Sequence, residues 1–188
     1  MSSVSSPHIV AVEPSPSDWV VRWCSRLAHG SRVLDVACGS GRHTRWLAAQ
    51  GLSVTAVDRD AQAVSGLHSI AEVVVADLEQ GPWPLPLRLF DAVIVTHYLW
   101  RPLLPALREA LAPGGRLVME TFAHGQEQWG RPRRPEFLLQ PAELLAMCRG
   151  MHILAFEDGT LTSPLRRIQR VCALQSDANS PDVLSLNR

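Results

Sequence analysis

The 188-residue sequence contains no lysine, because each of its 18 basic side chains is an arginine. This bias reflects coding composition more readily than a choice of phosphate ligand, and we assign it no function. Acidic residues also number 18, so the formal net charge is zero and the molecule lacks the strong field that draws proteins to nucleic acids or anionic membranes. The balance favours a small-molecule substrate and disfavours nucleic acid.

Cysteine is scarce and scattered. None of the four cysteines forms a CxxC pair, and none has a histidine at metal-ligand spacing. We therefore expect reduced thiols, no disulfide framework and no metal site. The cysteines are Cys24, Cys38, Cys148 and Cys172.

Long apolar runs are also missing. Apolar residues make up 46% of the chain, yet no run approaches the ~18 to 20 residues that span a bilayer. The first ten residues, MSSVSSPHIV, have neither a basic start nor a long apolar stretch, which argues against a secretory signal. We expect a globular cytoplasmic protein without a membrane anchor, either a monomer or a homodimer.

The length fits one domain. The Ser- and Pro-rich segment 1–16 is expected to be flexible, residues 17–175 to form the domain, and 176–188 to form a frayed tail. Ser17 is a predicted N-cap for a helix that reaches about Ala28, with Gly30 as its stop signal.

After this helix, short β-branched runs alternate with helical stretches, which predicts parallel βαβ units and a doubly wound α/β sheet. The last two strands are expected to form an antiparallel hairpin around a turn-rich segment, 157–164. The predicted strands are 33–36, 54–57, 73–75, 92–95, 117–119, 153–156 and 168–174. The predicted helices after the first are 42–50, 61–68, 103–111 and 141–149.

The most informative stretch is residues 33–41, VLDVACGSG, in which a strand runs into a small-residue turn and then a helix. Gly39 and Gly41 remove side chains where main-chain N–H groups can face a ligand at a helix N-terminus. A tight βα connection without a ligand is the alternative. In open α/β sheets, ligands bind at the carboxyl ends of the strands, where this turn lies.

Two carboxylates follow at later strand ends. Asp58 comes 17 residues after Gly41, close to the ~20 expected for an acid that accepts hydrogen bonds from ribose hydroxyls. Asp77 follows the third strand, where it can accept from an adenine amino group while Leu78 packs on the ring. The alternatives are a solvated strand-end acid at Asp58 and a turn or N-cap acid at Asp77.

Five segments occur in an order that is specific as a set. They are Leu34–Gly41, Val57–Asp58, Ala76–Asp77, Phe90–Val93 and Leu111–Leu117. Through these motifs the chain resembles the class I S-adenosylmethionine-dependent methyltransferases over roughly residues 17–175. The resemblance implies a Rossmann-like seven-stranded sheet of order 3-2-1-4-5-7-6, with strand 7 antiparallel and helices on both faces.

Three further segments, 119–122, 130–132 and 137–139, resemble a bacterial subgroup often labelled tellurite-resistance-type methyltransferases. The label does not identify a substrate. The chain departs from the family at Ala37, where a glycine is usual, and we expect a negative φ there because only then is a methyl group tolerated.

The resemblance implies S-adenosylmethionine as cofactor, with S-adenosylhomocysteine as product. Asp35 and the turn 37–41 would hold the methionine end, Asp58 the ribose, and Asp77 with Leu78 the adenine, while His43 is a candidate for the methionine carboxylate. The implied cofactor residues are Asp35, Ala37, Cys38, Gly39, Gly41, His43, Asp58, Arg59, Asp77, Leu78 and Thr96.

The resemblance places the tip of the fourth strand beside the reactive methyl group. Methyl transfer from a sulfonium depends on alignment, so a catalytic dyad is not required. His97 is either a general base or a hydrogen-bonded structural residue, and Tyr98 either orients the acceptor or packs on the next helix. Arg101 either contacts substrate or pairs locally.

The connection 121–140 is long for this position and is a second candidate acceptor surface. Its arginines can bind a carboxylate or phosphate, or they can form a solvated loop with Trp129 as an anchor. Trp19 closes the site from the first helix or belongs to the core. The candidate substrate residues are Trp19, Arg101, His124, Trp129 and Arg131.

Two other readings use the same features. An NAD(P)-dependent oxidoreductase is disfavoured, because Thr44 stands where the dinucleotide fingerprint has its third glycine. A catalytically silent domain that binds S-adenosylmethionine and regulates a partner remains open, and the arginines near Arg131 keep nucleic-acid modification as a weaker alternative.

Overall fold

The computed structural model describes residues 15–176; the expectations for 1–14 and 177–188 lie outside this range. Residues 15–176 form seven strands and four short α-helices. The strands are β1 (Arg32–Val36), β2 (Ser53–Asp58), β3 (Glu72–Val75), β4 (Phe90–Thr96), β5 (Leu111–Phe122), β6 (His152–Thr162) and β7 (Leu165–Leu174). The helices are α1 (Asp18–Cys24), α2 (Arg42–Ala49), α3 (Leu104–Glu109) and α4 (Glu143–Met147).

The strands form one sheet in the order β3-β2-β1-β4-β5-β7-β6. Strands β1 to β5 pair in parallel, and β7 is antiparallel to both of its neighbours, β5 and β6. The predicted order and the antiparallel hairpin are confirmed. Because the chain winds outward in both directions from β1, the strand order reverses between β1 and β4, which is where open α/β sheets bind ligands.

Helices cover both faces of the sheet. Alternate side chains of β1 point to opposite faces, so Val33 packs in the cluster under α1 and α2 while Leu34 packs in the cluster under α3 and α4. Trp19 and Leu47 fill the first cluster, and Leu144 lies in the second. The sheet is therefore the middle of three layers, and its carboxyl edge is left to the connecting loops.

The N-cap at Ser17 is confirmed, since its Oγ accepts from the Trp19 N–H at 3.2 Å. The helix ends at Cys24 rather than near Ala28. The Leu27 N–H bonds to the Cys24 carbonyl, three residues back, and this tighter turn breaks the α-helical hydrogen-bond ladder.

The helix predicted over 61–68 was wrong. Only a 3₁₀ helix, Ser65–Leu67, forms there. The Asp60 carboxylate accepts from the Gln62 and Ala63 N–H groups, both at 3.0 Å, and holds a local turn. Gly66 then weakens any continuing helix, while Leu67 is fully buried.

The segment 157–164 is mostly strand rather than turn. Strand β6 continues to Thr162 because Glu157 and Asp158 form ion pairs with Arg170 and Arg167 of β7. The register pairs Phe122, the last residue of β5, with Ile168. The hairpin therefore extends past the end of β5 and carries Arg166 over the carboxyl edge of the sheet.

Candidate active site

The two glycines of the turn between β1 and α2 have different surroundings. Gly41 is the N-cap of α2 with φ +84°, and a Cβ there would lie 2.4 Å from Leu67 Cδ2. Gly39 also has a positive φ, +57°, but no atom of the described residues lies within 4 Å of its ideal Cβ. Packing thus accounts for the glycine at position 41, whereas Gly39 borders open space that a ligand can approach.

Ala37 has φ +52°, so the expected negative φ was wrong. A left-handed conformation costs a residue with a Cβ roughly 1–2 kcal/mol. The next N–H, of Cys38, bonds to the Val57 carbonyl at 3.0 Å and fixes the turn against the end of β2. The turn therefore has a left-handed backbone at this position although it carries an alanine.

Asp58 lies at the end of β2 and joins the glycine turn. Its Oδ2 accepts from the Gly39 N–H at 2.7 Å, and its Oδ1 accepts from the Asp60 N–H at 2.9 Å. A carboxylate has about four lone-pair positions, so each oxygen retains the capacity for another donor. The carboxylate is held in place by backbone groups and can still accept two hydroxyls.

Asp77 follows β3, and its Oδ1 accepts from the N–H groups of Glu79 at 2.9 Å and Gln80 at 3.2 Å. The turn role that was the alternative at this position is therefore present. Both bonds go to one oxygen, so this role leaves the other carboxylate oxygen available to a ligand.

A cavity of about 180 Å³ lies at the tips of β1, β2 and β3. It contains the predicted ribose and adenine residues together, as parallel strands ending at one edge require. The lining residues are Ala37, Asp58, Arg59, Ala76, Asp77, Leu78, Glu79 and Tyr98.

Asp35 lies beneath the N-terminus of α2 and is 1% exposed. Its Oδ2 accepts from the Thr44 hydroxyl at 2.7 Å, while Oδ1 has no hydrogen-bond partner among residues 15–176. Burial raises the pKa of this carboxyl to about 6, although the Thr44 bond works against the shift. A buried carboxylate with an unpaired oxygen beside the glycine turn is suited to a cationic ligand group.

His43 does not face the cavity. It is 2% exposed, its Nε2 accepts from the Ser17 N–H at 3.1 Å, and its Nδ1 lies 3.3 Å from Thr96 Oγ1. Burial lowers the pKa of His43 to about 3, with the Arg42 charge adding to the effect. A neutral, enclosed imidazole is a poor carboxylate ligand, and Arg42, one residue earlier, is the charged group at this helix end.

His97, at the tip of β4, has φ +55° and stacks on Phe122 with ring centroids 4.9 Å apart. Arg166 Nη1 lies 3.1 Å from its Nε2, and Arg42 Nη2 lies 3.4 Å from its Nδ1. A neutral imidazole has one acceptor nitrogen, and the shorter contact indicates Nε2. Burial and the two guanidinium charges lower the pKa of His97 to about 4, so it is neutral at pH 7.

Tyr98 separates the first cavity from a larger one. Its hydroxyl is buried and has no hydrogen-bond partner within the described residues. Burial, followed by the charges of Glu79 and Asp77, raises the pKa of the phenol. The hydroxyl is thus neutral at pH 7 and can donate a hydrogen bond to a ligand.

The second cavity has a volume of about 680 Å³ and shares Arg59, Glu79 and Tyr98 with the first. Its walls come from the tips of β4 and β5 and from the connection that follows β5. The other lining residues are His97, Leu99, Thr121, Phe122, Arg131, Pro132, Arg133, Arg134 and Phe137.

Several residues predicted on the acceptor side do not line either cavity. Trp19 is 1% exposed and donates from Nε1 to the Val171 carbonyl, so it is a core residue. Arg101 pairs with Glu143 at 2.6 Å and donates to two loop carbonyls, which is the local role. His124 and Trp129 are exposed and do not line either cavity, whereas Arg131 lines the second.

Sequence reasoning missed Arg42, Arg166 and Phe122. Arg42 follows Gly41 directly, so its position at the start of α2 was a usable signal. Arg166 reaches His97 across 69 positions of sequence because the hairpin is longer than expected. No local sequence pattern predicts a contact between residues that lie this far apart in the chain.

The connection after β5 is ordered at its base. Gln126 is 4% exposed, its side-chain oxygen accepts from the Arg167 N–H, and its amide donates to the Arg131 carbonyl. Residues Ala123 and Leu139 form a parallel bridge. These contacts present the arginines beyond Arg131 to the second cavity.

Residues 15–176 contain no group of three or more His, Cys, Asp or Glu side chains arranged to hold a metal ion. In the same range, no helix has the length and apolar character needed to cross a bilayer.

The order of the seven strands, with β7 antiparallel, and the helices on both faces define a Rossmann-like fold. The methyltransferase domain family matches residues 33–115. TehB from Haemophilus influenzae has the same fold, with a TM-score of 0.71 and 17% identity over 86% of this chain and 63% of that one. The matched segment and the fold are thus similar to those of class I S-adenosylmethionine-dependent methyltransferases.

Curated relatives resemble only part of the chain. A demethylmenaquinone methyltransferase from Tropheryma whipplei (strain Twist) is 33% identical over 103 residues, or 50% of this chain and 43% of the relative. A tRNA U34 carboxymethyltransferase from Methylococcus capsulatus is 36% identical over 119 residues, or 57% and 36%. The chain thus spans less than half of these relatives, whose names specify different acceptors.

Proposed function

We propose that the protein binds S-adenosylmethionine and transfers its methyl group to a small-molecule acceptor. The observation that carries this proposal is the pair of cavities that meet at Tyr98. The first cavity has acids suited to ribose and adenine, and the second is large enough for a separate organic molecule. Two adjoining sites are what a group transfer between two molecules requires.

The residues present fit the cofactor. Gly39 borders open space, Asp58 has acceptor capacity for two hydroxyls, and Asp35 has a buried unpaired oxygen near the turn. In this proposal Arg42 binds the methionine carboxylate, Asp58 the ribose, and Asp77 with Leu78 the adenine. Arg59 and Thr96 stay as predicted cofactor contacts, together with the backbone of 37–41.

When bound, S-adenosylmethionine would supply an electrophilic methyl group on a sulfonium, with neutral S-adenosylhomocysteine as the leaving group. The chain's own task is alignment and exclusion of water, which can supply on the order of 7–11 kcal/mol. Because its pKa is about 4, His97 is neutral at pH 7 and only a weak base, so it serves chiefly to position the acceptor. The Tyr98 hydroxyl can donate a hydrogen bond to the acceptor.

The test is calorimetric titration of the full chain with S-adenosylhomocysteine, using NADH as the competing ligand. We expect saturable binding of S-adenosylhomocysteine alone. Asp58→Ala should weaken it by about 1–3 kcal/mol, the range for removing a hydrogen-bonded charge. Asp91→Ala is the matched control, since Asp91 binds the Arg32 N–H at the start of β1, at the opposite edge of the sheet.

Equal affinity of wild type and Asp58→Ala would contradict the ribose assignment, and preferential NADH binding would contradict the cofactor. A catalytic role is tested by incubation with methyl-labelled S-adenosylmethionine and a panel of thiols, selenite, carboxylic acids and amines. Label transfer supports the enzyme. Intact S-adenosylhomocysteine binding without any transfer supports the silent regulatory domain instead.

A further inference from the structure

The second cavity has an excess of positive charge that contrasts with the zero net charge of the chain. Arg59, Arg131, Arg133 and Arg134 line it, while Glu79 is the acid in its wall. Arg134 forms an ion pair with Glu136 and lies over the Phe137 ring. No carboxylate of residues 15–176 lies within ion-pair distance of the other three arginines.

Two more guanidinium groups stand behind His97. Arg42 and Arg166 are half-buried, and within the described residues neither forms an ion pair. Glu120 and, more weakly, Asp35 are the acids whose charges act on Arg42; Glu120 is also engaged by Ser17 at 2.9 Å and by Arg170 at 3.4 Å. Burial lowers the pKa of Arg42, and the Arg166 charge adds to this effect against the attraction of the two acids. In the proposed function the methionine carboxylate neutralises Arg42, which leaves Arg166 as the guanidinium of this pair without an anion.

The remaining walls of the cavity are apolar. Leu99, Phe122, Pro132 and Phe137 line it beside the arginines. Its volume of about 680 Å³ falls in the range of about 300–1,000 Å³ typical of sites for organic ligands. A bare oxyanion would leave most of this space and its apolar surface uncovered.

We propose that the methyl acceptor is a small organic anion whose apolar body packs against Phe122 and Phe137. Arg131 and Arg133, which line the cavity, bind its carboxylate or phosphate, and Arg166 positions the His97 ring in the cavity wall. The inference rests on the proposed function, because it names the substrate class of the same site. It assigns the specificity-determining residues to the connection that follows β5.

The test measures binding of four probes to the full chain saturated with S-adenosylhomocysteine. Phenyl phosphate and benzoate combine an aromatic body with an anion, benzyl alcohol lacks the charge, and inorganic phosphate lacks the body. We expect phenyl phosphate or benzoate to bind at least about tenfold more tightly than either control, as a desolvated charge-assisted pair permits. The tighter of the two identifies the anionic group.

Arg131→Met keeps much of the side-chain volume and should weaken this binding by about tenfold. Arg133→Met removes the second exposed charge of the cavity lining and should weaken it as well. Arg149→Met is the matched control, because Arg149 is exposed beyond α4 and near the start of β6, at the opposite edge of the sheet. Its affinity should equal that of wild type.

Equal binding of benzyl alcohol and benzoate would overturn the proposal, as would unchanged affinity in both Arg131→Met and Arg133→Met. Inorganic phosphate binding as tightly as phenyl phosphate would replace the organic anion with a small oxyanion. Displacement of S-adenosylhomocysteine by the probes would assign the arginines to the cofactor.

The same titrations without S-adenosylhomocysteine separate the two proposals. Probe binding that depends on Arg131, by a chain that does not bind S-adenosylhomocysteine, would contradict the proposed function and leave the anion site standing. Cofactor binding with no probe binding would contradict the anion site alone.

Discussion

The carboxyl group of Asp35 lies under α2 with one oxygen bonded to Thr44 and the other without a partner in the described part of the chain. Such a group opposes folding, because a buried ionised carboxylate loses its hydration. The direction of the pH effect follows from the pKa of this carboxyl, which is about 6 in the folded state against an ordinary value of 3.8. Ionisation destabilises the fold as pH rises from about 4 to above 6.

Asp35→Asn should therefore raise the free energy of unfolding of the ligand-free protein at pH 8, by on the order of 2–3 kcal/mol. The gain should vanish near pH 4, where the carboxyl is already protonated in the folded state. The same variant should bind S-adenosylhomocysteine more weakly. Urea unfolding at the two pH values and calorimetry check this; an unchanged stability at pH 8 with full affinity would show that Asp35 has neither the cost nor the role.

For single residues, the sequence predicted which of them lie at the site better than it predicted what each of them contacts. Asp58 and Asp77 line the first cavity because a carboxylate that follows a parallel strand must lie at the ligand edge. The sequence does not show that the adjacent residues Arg42 and His43 have different surroundings. Both follow the glycine turn, and His43 is turned inward because its ring accepts a hydrogen bond from the Ser17 N–H.

At the scale of elements, the turn between β1 and α2 depends on the short 3₁₀ helix that replaced a predicted α-helix. Leu67 of that helix occupies the space above Gly41 and is fully buried. The turn is thus fixed from two sides, by Leu67 at its helical end and by Asp58 at Gly39.

Gly41→Ala should lower the free energy of unfolding by more than the roughly 1–3 kcal/mol that a strained backbone costs, because its Cβ would also meet Leu67. Gly114→Ala is the matched control, since Gly114 has φ +71° and no described atom within 4 Å of its Cβ. It reports the backbone cost alone. Chemical unfolding of both variants checks the difference, and equal losses would show that Leu67 does not restrict the turn.

The elements differ in how far the sequence determines them. The apolar runs of β1, β2 and β4 are bounded by polar or turn residues, and their positions were predicted within a few residues. The helix predicted over 61–68 failed because Asp60 offers the backbone a competing turn. Strand β6 was placed too short because its outer half is held by ion pairs with β7, which periodicity does not reveal.

At the scale of the whole molecule, a polar network connects the start of α1 to the site. Ser17 contacts both His43 and Glu120, and His43 contacts Thr96 at the tip of β4. The sheet order was predictable from strand alternation together with the family resemblance. This network was not, because it joins residues 26 to 103 positions apart.

The network makes stability sensitive to acid. His43 has a folded-state pKa of about 3 against 6.5, so between these values the unfolded chain binds more protons and stability falls as pH falls. In His43→Gln the slope of unfolding free energy against pH should be shallower by up to about 1.4 kcal/mol per pH unit between pH 6 and 4. Asp35 acts with the opposite sign over this window, so the difference between variants is the quantity to compare.

Urea unfolding at pH 6, 5 and 4 measures these slopes. His124→Gln, which replaces an exposed histidine, is the control for loss of a histidine as such. Parallel slopes for wild type and His43→Gln would contradict the enclosed, neutral state of His43.

The central claim is that the tips of β1, β2 and β3 form one cradle that presents a sulfonium to the second cavity. A crystal structure of the complex with S-adenosylhomocysteine tests it most directly. The account predicts the ribose hydroxyls on Asp58, the adenine beside Asp77 and Leu78, and the sulfur facing His97 and Tyr98. A ligand bound away from Asp58, or with its sulfur directed away from the second cavity, would contradict it.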